Sequence, residues 1–224
     1  MVKAVIFDMD GTLIDSVDQH ARAWQDAFQD FGHEFELKAI RAQIGKGGDQ
    51  LLPVFLTREE IQLKGRDLEK HRGNVLKERY LFQIKPFPKV TELFHRIRAD
   101  NIKIVLASSA KAQELRAYEK IAGIEALIDV ETSSDDAEKS KPHPDIFQAA
   151  VAKLGTVPKS EIVVIGDAPY DAEAAGKAGL RTIGFRCGGF PERRLRQAGC
   201  FAIYDGPADL LARYNASALA RREV

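Results

Sequence analysis

The feature that most constrains the fold is a regular alternation of short apolar runs and helical segments. Apolar, β-branched runs occupy residues 5–7, 104–107, 162–165, 182–185 and 201–204, and a weaker run occupies residues 128–131. Helical periodicity fills residues 89–100, 113–122, 145–154 and 192–198. Strands and helices that alternate in this way form a parallel sheet with helices on both faces. The sequence therefore predicts an α/β fold with a doubly wound, Rossmann-like sheet.

One long segment interrupts this alternation. Between residues 16 and 85 no convincing strand pattern occurs, whereas helical periodicity is clear, and Thr57 and Glu60 have the spacing of a capping box that starts a helix. Gly45, Gly47 and Gly48 indicate a loop between two of these helices. We expect an all-helical cap domain at residues 16–85, hinged at its two ends and inserted into a core formed by residues 1–15 and 86–224.

Charge and cysteine content exclude several classes of protein. Lys+Arg and Asp+Glu both number 33, which gives a formal net charge of zero. A neutral chain gives no support to a nucleic-acid surface or to a polybasic membrane anchor. Cys187 and Cys200 have neither disulfide-scaffold nor metal-site spacing. We expect a cytoplasmic protein that binds neither nucleic acid nor membranes.

The first apolar run ends in two carboxylates one residue apart, in the string Asp8-Met9-Asp10-Gly11-Thr12. Open α/β sheets gather reacting groups at the carboxyl ends of their strands. A turn explains Asp10 and Gly11 but not Asp8, which is a charge at the edge of a buried strand. Two crowded acids also repel each other unless a cation is present. The string therefore favours Asp8 as a nucleophile and Asp10 as a group that handles a proton.

Further polar groups follow the later strands. Ser108 and Ser109 come directly after the run at 104–107, and Asp167 follows the run at 162–165, with Asp171 four residues further on. Lys141 lies in the string Lys-Pro-His-Pro-Asp before a helix. Taken singly, each has an ordinary explanation as a strand-end hydroxyl, a surface lysine, a helix N-cap or a first-turn acid.

Taken together, these four pieces resemble the signature motifs of the haloacid dehalogenase superfamily, in order and at plausible separations, and the resemblance covers the whole chain. It implies hydrolysis of a small phosphorylated metabolite through an aspartyl-phosphate. It also implies Mg²⁺ held by the carboxylates of Asp8 and Asp167 and by the main-chain carbonyl of Asp10, with Asp171 behind these ligands. A monomer is the default state of the branch to which the cap points.

The chemistry of each residue type fits this expectation. A carboxylate such as Asp8 can accept a phosphoryl group and split one displacement into two easier ones. Asp10 is expected to protonate the leaving oxygen and then to accept a proton from water. Lys141 supplies positive charge toward Asp8 and the phosphoryl group. The residues expected to bind the phosphate are Gly11, Thr12, Ser108, Ser109 and Lys141.

The expected cap resembles that of the β-phosphoglucomutase and phosphoglycolate phosphatase branch. The string His20-Ala-Arg22-Ala-Trp24 is very similar to one in β-phosphoglucomutases, where the histidine helps couple cap closure to acid–base chemistry. A partly exposed helix histidine is the alternative explanation. Mutases carry an arginine in the cap loop that binds a second phosphate, whereas residues 44–50 here contain Lys46 and no arginine. Lys46 is either a contact for an anionic substrate group or a lysine that serves solubility.

Two alternatives to a phosphatase stay open. A phosphomutase that acts on a sugar phosphate is supported by His20 and disfavoured by the missing arginine. A non-catalytic module that senses phosphate or a metabolite would also use an aspartate, Mg²⁺ and a lysine, but it gives Asp10 no role. A phosphorylated sugar, phosphoglycolate and other small phosphate monoesters are all compatible with the sequence.

Overall fold

The computed structural model describes residues 1–220, so residues 221–224 of the expected core domain lie outside it. Within residues 1–220 the strands are β1 (Ala4–Phe7), β2 (Ile14–Asp15), β3 (Lys85–Pro86), β4 (Lys103–Ala107), β5 (Val130–Thr132), β6 (Ile162–Gly166), β7 (Arg181–Phe185) and β8 (Cys200–Tyr204). The α-helices there are α1 (Val17–Asp30), α2 (Leu37–Arg41), α3 (Gly48–Phe55), α4 (Arg58–Val75), α5 (Val90–Ala99), α6 (Ala112–Ala122), α7 (Asp145–Leu154), α8 (Pro169–Lys177), α9 (Glu192–Gln197) and α10 (Pro207–Ala212).

Six strands form one parallel sheet in the order β5-β4-β1-β6-β7-β8. Strand β1 is central, since Ala4 is in register with Lys103 of β4 on one side and with Ile162 of β6 on the other. The chain first builds outward through β4 to β5 and then returns to build β6, β7 and β8 on the opposite side. The reversal beside β1 is where sheets of this kind place their ligands. The expected doubly wound α/β fold is confirmed.

The apolar run of β1 is continuous because both of its faces are buried. Val5 and Phe7 belong to an apolar cluster that includes residues of α5, α6 and α10. Ala4 and Ile6 belong to a second cluster, with residues of α7 and α8. Successive strand side chains point to opposite faces, so a strand covered on both sides needs an apolar residue at every position.

The expected strands and helices of the core are present, with small shifts at their ends. The weak run at residues 128–131 becomes the edge strand β5, and α7 spans the expected residues. Helix α6 ends at Ala122, and the next residue, Gly123, has a φ of 65°, the left-handed conformation that glycine adopts most easily. Helix α9 ends at Gln197, one residue earlier than the pattern indicated.

Helices α1 to α4 form the expected all-helical insert around an apolar cluster of their own, which includes Trp24, Phe28 and Leu51. The capping box at the start of α4 is confirmed, because the Glu60 amide donates to Thr57 Oγ1 at 3.3 Å and the Thr57 amide donates to Glu60 Oε2 at 2.8 Å. Gly48 was expected in a loop but is the first residue of α3, so the loop between α2 and α3 comprises residues 42–47.

The two links between the insert and the sheet lie side by side. Strands β2 and β3 pair antiparallel, with Ile14 opposite Pro86 and Asp15 opposite Lys85. The two segments that connect the insert to the core are therefore paired in one short two-stranded sheet. Among residues 1–220, no helix combines the length and the apolar character that a membrane span requires.

Candidate active site

Asp8 lies directly beyond the carboxyl end of the central strand β1. Its backbone amide donates to the carbonyl of Ile165 in β6 at 2.9 Å, which continues the sheet by one further hydrogen bond. The buried side chain uses both oxygens: Oδ1 accepts from Lys141 Nζ at 2.5 Å and Oδ2 accepts from Thr12 Oγ1 at 3.1 Å. The sheet and these two donors fix the carboxylate in place.

Lys141 is fully buried, and its ammonium group is surrounded by oxygen. Nζ lies 2.5 Å from Asp8 Oδ1, 2.8 Å from Asp171 Oδ1 and 3.1 Å from the carbonyl of Ala107. Burial lowers the pKa of this lysine, but the charges of Asp171 and Asp8 outweigh burial and raise the pKa above its usual value. Lys141 is therefore a fixed positive charge at the nucleophile.

Three buried carboxylates meet at this point. Asp8, Asp167 and Asp171 each offer an oxygen, and these oxygens lie within 4.8 Å of one another. Burial raises the pKa of Asp8 to about 7 and that of Asp167 well above its usual value, and the charge of Asp171 adds to both effects. Lys141 alone cannot balance three carboxylates. A hard dication with oxygen ligands would do so, and the set of donors fits Mg²⁺.

Asp171 has two partners in the structure. Its Oδ2 accepts from the backbone amide of Ala168 at 3.0 Å, which is the contact of a first-turn acid in α8. Its Oδ1 faces Lys141. The Oδ1 contact is an ion pair without hydrogen-bond geometry, and the place of Asp171 behind the metal ligands stays a prediction.

Two glycines make room for the Asp167 side chain. Gly11 has a φ of +78°, and a Cβ there would lie 2.6 Å from Asp167 Oδ2. A Cβ on Gly188 would collide with the same oxygen. Any larger residue at either position would displace the carboxylate, so the absence of a side chain is part of the construction of the site.

Asp10 is not part of the carboxylate cluster. Its Oδ1 accepts a hydrogen bond from Ser16 Oγ at 2.7 Å and lies 2.8 Å from His20 Nε2. Burial raises the pKa of Asp10, but His20 and Ser16 outweigh burial and hold the pKa below its usual value. His20 is buried rather than partly exposed, and its ring is in direct contact with this carboxylate.

The two serines after β4 differ in their partners. Ser108 is fully buried, and its Oγ accepts from the amide of Ala110 at 3.0 Å. Ser109 lines the same cavity as Asp8, and its buried Oγ has no hydrogen-bond partner within residues 1–220. A buried, unpaired hydroxyl is costly, so this atom indicates a place for a ligand oxygen.

The amides of Gly11 and Thr12 are occupied within their own turn. The Gly11 amide donates to the carbonyl of Ile14 at 2.9 Å, and the Thr12 amide donates to that of Met9 at 3.3 Å. The Thr12 hydroxyl contacts Asp8 and also Asp167, at 3.0 Å. In this conformation the three groups support the carboxylates, and their contact with phosphate stays a prediction.

A cavity of about 60 Å³ separates the sheet from the helical insert. Asp8, Asp10 and Ser109 line it from the core, whereas His20 and Lys46 line it from the insert. The other lining residues are Trp24, Ile44, Gly45, Gly47, Gly48, Arg72, Ala110 and Glu114.

Lys46, expected as a contact for an anionic group, does lie on the wall of this cavity. Its Nζ donates to Gln43 Oε1 at 2.6 Å and lies 4.7 Å from the centre of the Tyr170 ring. Partial burial lowers the pKa of Lys46. Both partners of the ammonium group are uncharged. A bound anion would have to displace them or bind beside them.

No sequence pattern indicated three further residues near the cavity. Arg72 in α4 lies 5.3 Å from the Trp24 ring and 3.5 Å from Glu114 Oε1 in α6. The hydroxyl of Tyr118, also in α6, contacts both Glu114 and His20. These residues sit in ordinary amphipathic helices, and only the packing of insert against core brings them to the site.

Comparison with known proteins shows the family of this chain. Residues 2–179 match the family model described as haloacid dehalogenase-like hydrolase. The chain therefore belongs to the haloacid dehalogenase-like hydrolases. A solved hydrolase from Pseudomonas syringae is 32% identical and superimposes with a TM-score of 0.87, over 96% of this chain and 98% of that one.

The chain is also similar to several proteins that have names. A chloroplast protein of Arabidopsis thaliana, SUPPRESSOR OF QUENCHING 1, is 35% identical over 91% of this chain, which spans only 20% of its length. The phosphorylated carbohydrates phosphatase of Thermotoga maritima is 28% identical over 81% of this chain and 84% of its own. Other relatives are named as phosphatases of fructose 1-phosphate and of phosphoglycolate.

Proposed function

We propose that this protein is a magnesium-dependent phosphatase that hydrolyses a small phosphate monoester through a phosphorylated Asp8. The observation that carries the proposal is the arrangement around Asp8. Its carboxylate is held by Lys141 within a buried acidic cluster, and it lines the same cavity as Asp10. The family and the names of the relatives support the same chemistry.

The reaction follows in two displacements. An Asp8 oxygen forms a bond to phosphorus while the bond from phosphorus to the leaving oxygen breaks, and protonated Asp10 gives its proton to that oxygen. Asp10, now a carboxylate, accepts a proton from the water that attacks the aspartyl-phosphate, so that inorganic phosphate leaves and Asp8 is restored. Splitting the reaction in this way replaces one difficult step by two easier ones.

The Mg²⁺ ion would be held by the carboxylates of Asp8 and Asp167 and by the main-chain carbonyl of Asp10. It supplies the charge that allows a carboxylate nucleophile and a phosphate dianion to approach each other. Lys141 would contribute a second positive charge, and the hydroxyls of Ser108 and Ser109 would hold phosphoryl oxygens, a role supported for Ser109 by its place on the cavity wall. Positioning and electrostatics carry most of the catalysis of phosphoryl transfer.

The helical insert would act as a cap over the cavity, with its boundaries near residues 16 and 85. Its contacts with the core support this role: the Gly47 amide donates to Ser140 Oγ at 3.0 Å, and the Ser140 amide donates to Asp49 Oδ2 at 3.1 Å. Ser140 directly precedes Lys141, so these contacts link the insert to the segment that carries the lysine of the site.

Arg72 favours a substrate that carries a second anionic group. Its guanidinium lies on the cavity wall, its buried Nε has no partner within residues 1–220, and its ion pair with Glu114 is long at 3.5 Å. A carboxylate or a second phosphate could bind this fork through two hydrogen bonds. Lys46 on the same wall adds a second positive group.

A phosphomutase is the second candidate, because His20 contacts the acid–base residue Asp10 directly. Arg72 also supplies from α4 a guanidinium that the cap loop lacks. The two activities differ in their product, since a phosphatase releases inorganic phosphate and a mutase yields an isomeric sugar phosphate.

The test is phosphate release from sugar phosphates, phosphoglycolate and an aryl phosphate, with Mg²⁺ or with a chelator. We expect release that requires Mg²⁺ and that falls by a factor on the order of 10⁴ in Asp8→Asn, because the nucleophile is lost. Isomerisation without phosphate release would establish the mutase instead. Unchanged activity of Asp8→Asn, or release that persists in chelator, would contradict the proposal.

A further inference from the structure

The hydroxyl of Tyr118, in the core, contacts His20 of the insert, which in turn contacts the acid–base residue Asp10. Tyr118 is fully buried in α6, and its Oη donates to Glu114 Oε1 at 2.5 Å and lies 3.1 Å from His20 Nε2. His20 Nε2 in turn lies 2.8 Å from Asp10 Oδ1. A continuous chain of hydrogen bonds therefore runs from Glu114 to Asp10, and the steps of the proposed reaction do not use its first two members.

In this series of hydrogen bonds, Glu114 at one end decides which group donates and which accepts. Glu114 Oε1 is paired with the Arg72 guanidinium and accepts the single proton of the Tyr118 hydroxyl. The Tyr118 oxygen is then left as an acceptor toward His20. Because Asp10 Oδ1 is an acceptor as well, His20 Nε2 faces two acceptors and must carry a proton.

We infer that Tyr118 and Glu114 are positioning residues for proton transfer by Asp10. They fix a proton on His20 Nε2, and His20 and Ser16 together saturate Asp10 Oδ1. The proton that Asp10 transfers is thereby confined to Oδ2. This inference rests on the proposed function, in which that proton goes to the leaving oxygen as its bond to phosphorus breaks.

The leaving group provides the test. An alkoxide is a poor leaving group that needs this proton, whereas 4-nitrophenolate leaves without it. In Tyr118→Phe we expect kcat/KM to fall at least about tenfold for the best alkyl phosphate of the substrate panel, but less than about threefold for 4-nitrophenyl phosphate, because positioning acts only on acid catalysis. A merely structural role would lower both values equally.

Tyr214→Phe is the matched control. Tyr214 is another buried tyrosine of the same apolar cluster, it does not line the cavity, and its loss of a hydroxyl should leave both substrates unaffected. Should Tyr118→Phe fail to fold, Glu114→Gln tests the same chain. The amide can donate as well as accept, so the Tyr118 hydroxyl is no longer forced to donate to residue 114. We expect the same selective loss for the alkyl substrate.

The proton on His20 has a direct readout. In ¹⁵N NMR of the imidazoles, with the resonance assigned by its loss in His20→Gln, we expect a protonated Nε2 whose shift changes in Tyr118→Phe. A bare Nε2, or equal effects of Tyr118→Phe on both substrates, would overturn the inference. A wild-type protein that releases no phosphate would refute the proposed function instead, and the NMR result alone would then decide the proton arrangement.

Discussion

The two walls of the cavity are built in different ways. The core wall includes Asp8, which follows the central strand, and behind it Lys141 and Asp167 are almost completely buried, with Lys141 Nζ 2.5 Å from Asp8 Oδ1. The wall of the insert consists of side chains from two helices and a loop, such as His20, Arg72 and Lys46, and its ion pairs and hydrogen bonds reach across to the core.

This difference separates the residues that the reaction itself requires from the residues that contact the rest of the substrate. Like charges buried at a strand end lose their hydration and repel each other unless a cation offsets them. Such residues are kept because the reaction needs them, so the reaction itself constrains the core wall. The wall of the insert contacts whatever the phosphate is attached to, and ordinary helix residues suffice there. We therefore expect changes in the core wall to abolish turnover and changes in the other wall to alter selectivity.

After Asp8→Asn, the largest effect is expected for Asp10→Asn, which removes the acid–base group where the two walls meet. Turnover should fall about 10²- to 10⁴-fold, the usual contribution of such a group. An aryl phosphate can still phosphorylate Asp8 without an acid, while hydrolysis lacks its base. Rapid mixing should show a burst of one phenolate per enzyme, and mass spectrometry should find the phosphoryl group on the peptide that contains Asp8. Steady release without a burst would contradict this assignment.

An intermediate effect is expected for Arg72→Gln on the wall of the insert. Its kcat/KM should fall about tenfold or more for a phosphate monoester with a second anionic group, since hydrogen bonds to charged groups contribute about 1.5–3 kcal/mol. Monoesters without that group should be far less affected. Arg22→Gln, which changes an exposed arginine of α1, is the control. Equal losses for both kinds of substrate would remove Arg72 from the selectivity of the site.

The smallest effect is expected for Asp49→Ala, which cuts the contact between the walls at Ser140. Loss of about 1 kcal/mol of closure free energy should raise KM about fivefold with little change in kcat. Asp67→Ala, an exposed acid on α4, should leave KM unchanged. If Asp49→Ala changed kcat alone, the contact would serve the placement of Lys141 rather than closure of the cap.

Much of the fold was accessible from local pattern. Continuous apolar runs predicted the strands because both faces of this sheet are covered, and Gly123 and the Thr57–Glu60 capping box marked the ends of helices through backbone geometry alone. Strand β5 was the weakest prediction, since it has only three residues, of which two are half-buried, and so short a run carries little pattern. Gly48 was misplaced because a glycine indicates a loop and the first residue of a helix equally well.

The sequence by itself determined the strand rhythm, the helical insert and the acidic core wall, because each rests on neighbours in the chain or on a residue type that burial would otherwise forbid. The tertiary structure alone decided that Asp10 contacts His20 and is not part of the carboxylate cluster. It alone also brought Arg72, Glu114 and Tyr118 to the cavity. Those contacts join residues up to 98 positions apart across two packed units, and no local pattern encodes such a meeting.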